Sequence, residues 1–143
     1  MLNQDLIKSK IDLITKDLER LKSFGNKNFD EIANNFIEFS ALQNLLMKII
    51  GRAIDINEHI IAKKSDLDKS FKLKYRETFL QLGEMKIFPI DFAQEIAKSA
   101  GLRNALVHEY DNLDNFMIYQ TVNDAIIQYT KYCDFILKYL EKA

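Results

Sequence analysis

Apolar positions along this chain recur at steps of three and four, the spacing of helix faces packed against a core. Ile7, Ile11, Ile14, Leu18 and Leu21 form one such stripe, predicting a first helix from about Asp5 to Phe24 that Gly25-Asn26 stops. Asn28, with Glu31 three residues on, is a capping arrangement for a second helix over Phe29 to about Lys64, with a bend expected near Ser40. In it Leu42, Leu46, Ile49, Ala53, Ile56 and Ile60 make one stripe, and Leu45, Ile50, Ile54 and Ile61 a second beside it. So wide an apolar arc needs cover on two sides, and a second copy of the chain is one candidate cover. Gly51, weak in a helix interior, reads as a point of close helix approach.

The rest of the chain continues the same pattern. Tyr75, Phe79 and Leu82 are the inner face of a third helix ending near Gly83 to Phe88. Pro89 suits the first turn of a fourth, whose small inner face is Ala93, Ile96, Ala97 and Ala100, and Arg103–Tyr110 forms its second half. After the polar break Asp111-Asn112-Leu113-Asp114, a last helix is expected from about Asn115 to Lys142. There Tyr119, Val122, Ile126, Tyr129, Cys133, Ile136 and Leu140 alternate steps of three and four without a miss. The expectation is an all-α antiparallel bundle of about five helices, one domain over residues 1–143.

Composition narrows this little. One Pro and four Gly in 143 residues disfavour a turn-rich β fold. A lone Cys133 excludes an internal disulfide and Cys-cluster zinc sites, and a reducing, cytoplasmic setting is expected. No stretch approaches the roughly 18 apolar residues of a membrane span. A formal net charge of −1 gives no global field for nucleic acid. The connector from Ala62 to Arg76 is locally basic, however: Lys63, Lys64, Lys69, Lys72, Lys74 and Arg76 face only Asp66 and Asp68. It reads either as a solvated loop or as a contact surface for RNA phosphates.

Polar chemistry concentrates in Arg103-Asn104-Ala105-Leu106-Val107-His108-Glu109-Tyr110, which holds one of only two histidines. The other, His59, is spaced i, i+4 from Asp55, and a helix-surface hydrogen bond is a better reading of that pair than a metal site. No phosphate loop, nucleophile elbow or His-Glu-x-x-His motif occurs. On a helix Asn104 and His108 share a face, while Arg103 and His108 lie roughly 140° apart. A two-fold pair of such helices would bring two Arg and two His into one cleft. An imidazole exchanges protons near neutral pH, and an arginine fork suits phosphate oxygens. His108 as proton carrier, Arg103 stabilising a phosphorane and Asn104 orienting either partner would suit RNA cleavage through the ribose 2′-OH, with DNA spared. The bland alternative is an Arg and a His on a polar helix end.

Arg103-Asn104 followed by His108 and Tyr110 resembles the motif of the HEPN superfamily, and in its His-x-Tyr ending the HepT-like toxins. The flanks are similar as well: Ala53–His59, Tyr75–Phe79 and Gly101–Asn104, so that the likeness runs from about Leu42 to Asp114. Glu109 departs from it by placing a negative charge beside the imidazole. The resemblance implies a homodimeric helical bundle acting as a ribonuclease on tRNA or mRNA, without metal or other cofactor. Arg103 and His108 would be catalytic, with Asn104 assisting. It also implies an MntA-like nucleotidyltransferase antitoxin as partner, silencing the toxin by AMPylating Tyr110. An alternative of another class is a non-catalytic HEPN module that binds nucleotide or scaffolds its nucleotidyltransferase.

Overall fold

A computed structural model describes residues 1–67, 72–108 and 114–143. Among these, all regular structure is helical: α1 (Gln4–Lys22), α2 (Phe29–Ala33), α3 (Phe36–Lys64), α4 (Tyr75–Glu84), α5 (Ile90–Ala97), α6 (Ser99–His108) and α7 (Asn115–Lys142), with a 3-10 turn at Ser23–Asn26. The bundle expected from the stripes is therefore present. Two expected helices are each divided in two.

The first division falls at Asn34-Asn35, not at Ser40. Asn28 caps α2 by accepting from the Glu31 N–H at 2.9 Å, and Asn35 caps α3 in the same way from Glu38. A second capping asparagine gives the backbone a local alternative to continuing the helix. The other division is at Lys98. There the Ser99 hydroxyl donates to the Ile96 carbonyl at 2.6 Å and lies 2.5 Å from the Tyr129 hydroxyl. The single serine proton is committed to the carbonyl, so Tyr129 is the donor to Ser99. Tyr129 of α7 thus pins the start of α6.

α1 runs antiparallel to α3. The Asn3 N–H donates to His59 Nε2 at 3.2 Å, Lys10 pairs with Asp55 at 3.5 Å, and Arg52 pairs with Asp17. α7 lies antiparallel to α1 and parallel to α3: the Tyr119 hydroxyl reaches the Lys27 carbonyl at one end, and Gln4 donates to the Leu140 carbonyl at the other. Ile7, Ile11, Ile14, Leu18 and Leu21 are buried, as the α1 stripe requires. So is every member of the first α3 stripe. Ile50 and Ile54 of the second stripe are also buried within the chain, and Leu45 and Ile61 half-buried, because α4 and α6 pack on α3 as well as α1. A second copy is not needed to cover them. Nor is Gly51 a close approach, since a Cβ built there meets nothing within 4 Å. The glycine that is pressed is Gly83, whose Cβ would stand 2.8 Å from that of Ala93, so α4 and α5 touch almost backbone to backbone. No described helix is long and apolar enough to cross a membrane.

Two polar features sit inside this core. Asp17, buried on α1, is bound by Arg20 at 2.8 Å and by Arg52 of α3. Asn57, fully buried on α3, donates to the Thr78 hydroxyl of α4 at 3.1 Å and accepts from the Tyr132 hydroxyl of α7 at 2.6 Å. Tyr132 also lies 3.0 Å from the Ala53 carbonyl, and Thr78 donates to the Tyr75 carbonyl at 2.7 Å. Burial raises the Tyr129 and Tyr132 hydroxyls above the ordinary tyrosine range, so both stay protonated donors.

Candidate functional site

α6 carries the motif, and its burial pattern divides the motif between two faces. Ala100 and Leu106 are buried; Asn104, Val107 and His108 are exposed. Arg103 stands three residues from both Ala100 and Leu106, so it belongs to the inward stripe. Its side chain is half-buried, and the guanidinium carbon sits over the Tyr75 ring, 5.2 Å from the centroid. Such a cation–π contact contributes on the order of 0.5–2 kcal/mol, more as water is excluded.

Arg103 Nε is buried and has no hydrogen-bond partner among the described residues. An N–H left so costs about 1–3 kcal/mol. It is the one buried side-chain polar atom among the described residues in this condition. No ion pair of Arg103 occurs among the described residues either. Tyr75 is the first residue of α4, whose N-terminal N–H groups carry positive partial charge, and Lys74 and Arg76 flank it in the chain, both exposed. Glu77, the nearest acid in the turn, accepts the Lys74 N–H at 2.9 Å. A guanidinium held on the first residue of a helix, with exposed cations on either side of that residue in the chain, is an arrangement suited to an anion.

The structure therefore brings Arg103 to Tyr75 and to the end of the basic connector. It does not link Arg103 to His108: no hydrogen bond or ion pair among the described residues joins Arg103, Asn104 and His108. Asn104 and His108 share the exposed face, as the four-residue spacing requires. Tyr110, Glu109 and the polar break 111–113 lie outside the described residues, as do positions 68–71 of the connector. Lys72 approaches α3. Burial and then the neighbouring Asp55 carboxylate raise the Glu58 carboxyl above its ordinary value, while Lys72 works in the opposite direction.

Asp55 and His59 make helix-surface contacts to Lys10 and to the Asn3 backbone, and no described group of three His, Cys, Asp or Glu gathers as a metal site. Open grooves along α7, one lined by Lys86, Pro89, Phe135 and Lys138 and another by Phe92, Ile127 and Lys131, include none of the motif residues. Cys133 is buried against α1, and its thiol is pushed up to about 12 by burial, which leaves it a poor nucleophile.

Sequence reasoning overlooked Tyr75 as a partner of Arg103, placing it on the inner face of its helix. The available signal was its position at the basic connector's end, beside Lys74 and Arg76. Thr78 and Asn57 were overlooked as well, since neither breaks a helical stripe.

Comparison with known proteins supplies a context for this geometry. The family model described as "Ribonuclease HepT-like" matches residues 14–136. A tRNA nuclease HepT of Aphanizomenon flos-aquae (strain 2012/KM1/D3) is 36% identical over 135 residues, covering 94% of this chain and 90% of that protein. Among solved structures, a tri-AMPylated Shewanella oneidensis HEPN toxin in complex with MNT antitoxin superposes with a TM-score of 0.82. It is 21% identical, over 94% of this chain and 98% of that one. A cytosolic protein of unknown function, YutE from Bacillus subtilis, superposes with a TM-score of 0.84 at 18% identity, over 99% of this chain and 92% of that one. At these identities the two structures speak for the fold.

Proposed function

The chain belongs to the Ribonuclease HepT-like family, and on that footing we propose that it is the toxin of a toxin–antitoxin pair, an endoribonuclease that cuts tRNA or mRNA. The observation that carries this reading is the state of Arg103. A motif guanidinium is held half-buried on an aromatic ring at the end of a basic connector, with a buried donor unused among the described residues. A scaffold with no anionic substrate gains nothing from that arrangement. A phosphodiester would engage the terminal guanidinium N–H groups, which the Tyr75 ring leaves unused.

His108 carries the protons. Its imidazole takes the ribose 2′-OH proton as O2′ attacks the adjacent phosphorus, and a second imidazole, from the partner motif of a homodimer, protonates the departing O5′. The P–O5′ bond breaks, leaving a 2′,3′-cyclic phosphate and a 5′-hydroxyl. Arg103 neutralises the charge that grows on the non-bridging oxygens, and Asn104, on the same face as His108, orients imidazole or ribose through neutral hydrogen bonds. Exposed Lys72, Lys74 and Arg76 contact phosphates flanking the scissile bond. No step calls for a metal.

The S. oneidensis HEPN toxin with its MNT antitoxin supports a nucleotidyltransferase antitoxin as the partner here. Tyr110 is the proposed acceptor: its phenolic oxygen attacks the α-phosphorus of ATP, pyrophosphate departs and the phenolic proton is lost. A phosphate two residues beyond His108 would then occupy the guanidinium that RNA requires.

Cleavage of total RNA in EDTA tests the proposal, using wild-type protein and His108→Ala, each shown by mass spectrometry to be unmodified at Tyr110. Discrete fragments ending in cyclic phosphate, from wild type alone, are expected. Absence of fragments from both would replace the nuclease by a non-catalytic partner of the nucleotidyltransferase. Equal fragments from both would remove His108 from the site.

A further inference from the structure

We propose that Tyr75 is the positioning residue of the motif arginine, a fixed aromatic floor that holds the Arg103 guanidinium ready for a phosphate. This deepens the nuclease reading and rests on it. An arginine with several rotatable bonds, on the inward stripe of a helix, has two ordinary fates: an acidic partner, or escape of its head into water. Among the described residues Arg103 has no acidic partner, and its Nε is not released to water. Arg103 is half-buried on the same stripe as buried Ala100 and Leu106, its Nε is sealed from solvent with no partner among the described residues, and its guanidinium carbon lies 5.2 Å from the centre of the Tyr75 ring. A ring face orients the guanidinium plane while using none of its N–H donors. A carboxylate in the same place would consume two of those donors and compete with the substrate.

The floor is itself anchored. The Tyr75 carbonyl accepts from the Thr78 hydroxyl at 2.7 Å, that hydroxyl accepts from Asn57 at 3.1 Å, and Asn57 accepts from Tyr132 at 2.6 Å. One hydrogen-bonded chain thus ties the first turn of α4 to α3 and α7. Tyr129, three residues from Tyr132 on α7, ties the first turn of α6 through Ser99 at 2.5 Å. Ring and guanidinium are therefore both referred to one helix. Their separation is set by the core, not by surface chance.

Steady-state cleavage of the RNA that wild type cuts would be measured for Tyr75→Leu, Tyr75→Phe and Arg103→Ala, with thermal melting of each. In parallel, the Arg103 δ-proton shifts would be read by NMR in a His108→Ala background, with and without Tyr75→Leu. Tyr75→Leu is expected to lower kcat about 10- to 100-fold, with KM changed by less than about threefold, the mark of a misplaced group. Tyr75→Phe keeps the ring and recovers most of that loss, and the upfield ring-current shift of Arg103 disappears only in the leucine variant. Wild-type cleavage by Tyr75→Leu beside an inactive Arg103→Ala would overturn the inference while leaving the nuclease standing. Phenylalanine as damaging as leucine would overturn it too, since the hydroxyl rather than the ring would then be acting. An active Arg103→Ala would sink the nuclease reading itself and the role of Tyr75 with it.

Discussion

Two polar regions of this molecule are built on opposite rules. Around Asn57 every buried group has a partner: the Asn57 amide oxygen and nitrogen, the Thr78 hydroxyl and the Tyr132 hydroxyl close on one another and on two backbone carbonyls. Around Arg103 the buried donor has none among the described residues, and the ring it rests on, Tyr75, stands between Lys74 and Arg76 in the chain. The first region spends its hydrogen bonds on holding three helices together. In the second they are withheld, and the deficit is tolerated because packing over-determines the side chain. A satisfied network is a scaffold, and an unsatisfied arginine beside it is a place for a ligand.

That contrast is broken most severely by removing the motif. Arg103→Ala or His108→Ala is expected to lower RNA cleavage by about 10²–10⁴-fold while leaving the melting temperature nearly unchanged, as initial rates and calorimetry would register. Substitutions in the matched regions act the other way round. Arg52→Ala, which strips a cation from buried Asp17, should cost roughly 3 kcal/mol of unfolding free energy by urea titration, Arg20 keeping the loss at the low end for a broken buried pair. Asn57→Leu should cost about 2 kcal/mol, since Thr78 loses a donor and Tyr132 an acceptor. A second consequence is visible in alkali. Burial raises Tyr129, Tyr132 and Cys133 above their unfolded values, so the folded chain keeps protons the unfolded chain releases. Their contribution is full below about pH 9. Stability is then lost as pH rises, by up to about 1.4 kcal/mol per unit for each group, and Tyr132→Phe should flatten that loss in pH-jump denaturation curves. Smallest is the effect of Lys74→Ala, which should leave cleavage chemistry intact and reduce the salt slope of RNA binding by about 0.7, readable by fluorescence anisotropy in the His108→Ala background.

Much of the fold was legible because apolar periodicity responds to burial alone. The α1 stripe, the first α3 stripe and the bounds of α7 needed only counting. Local alternatives to helix were harder to see. Asn34-Asn35 and Ser99 divide helices through single side-chain-to-backbone bonds, which leave no mark on a hydrophobic pattern. The burial of Asp17 leaves no mark in the sequence, because its charge says nothing of the two arginines that make that burial tolerable. The motif was found because Arg, Asn and His fall close together in the chain. Tyr75 was missed as its companion because it is 28 positions away, and such pairings come from tertiary packing. Gly51 and Gly83 taught the converse lesson. Both are helical glycines, yet only contact geometry says which one is crowded.

Crowding at Gly83 has a mechanical result. α4 begins at Tyr75, α5 leads into the helix that carries Arg103, and the two are seized at their junction with no room for a methyl group. They behave as the two arms of a caliper locked at its pivot. A Gly83→Ala change would push the arms apart at the hinge, far from the jaws, and open the gap between ring and guanidinium without touching either.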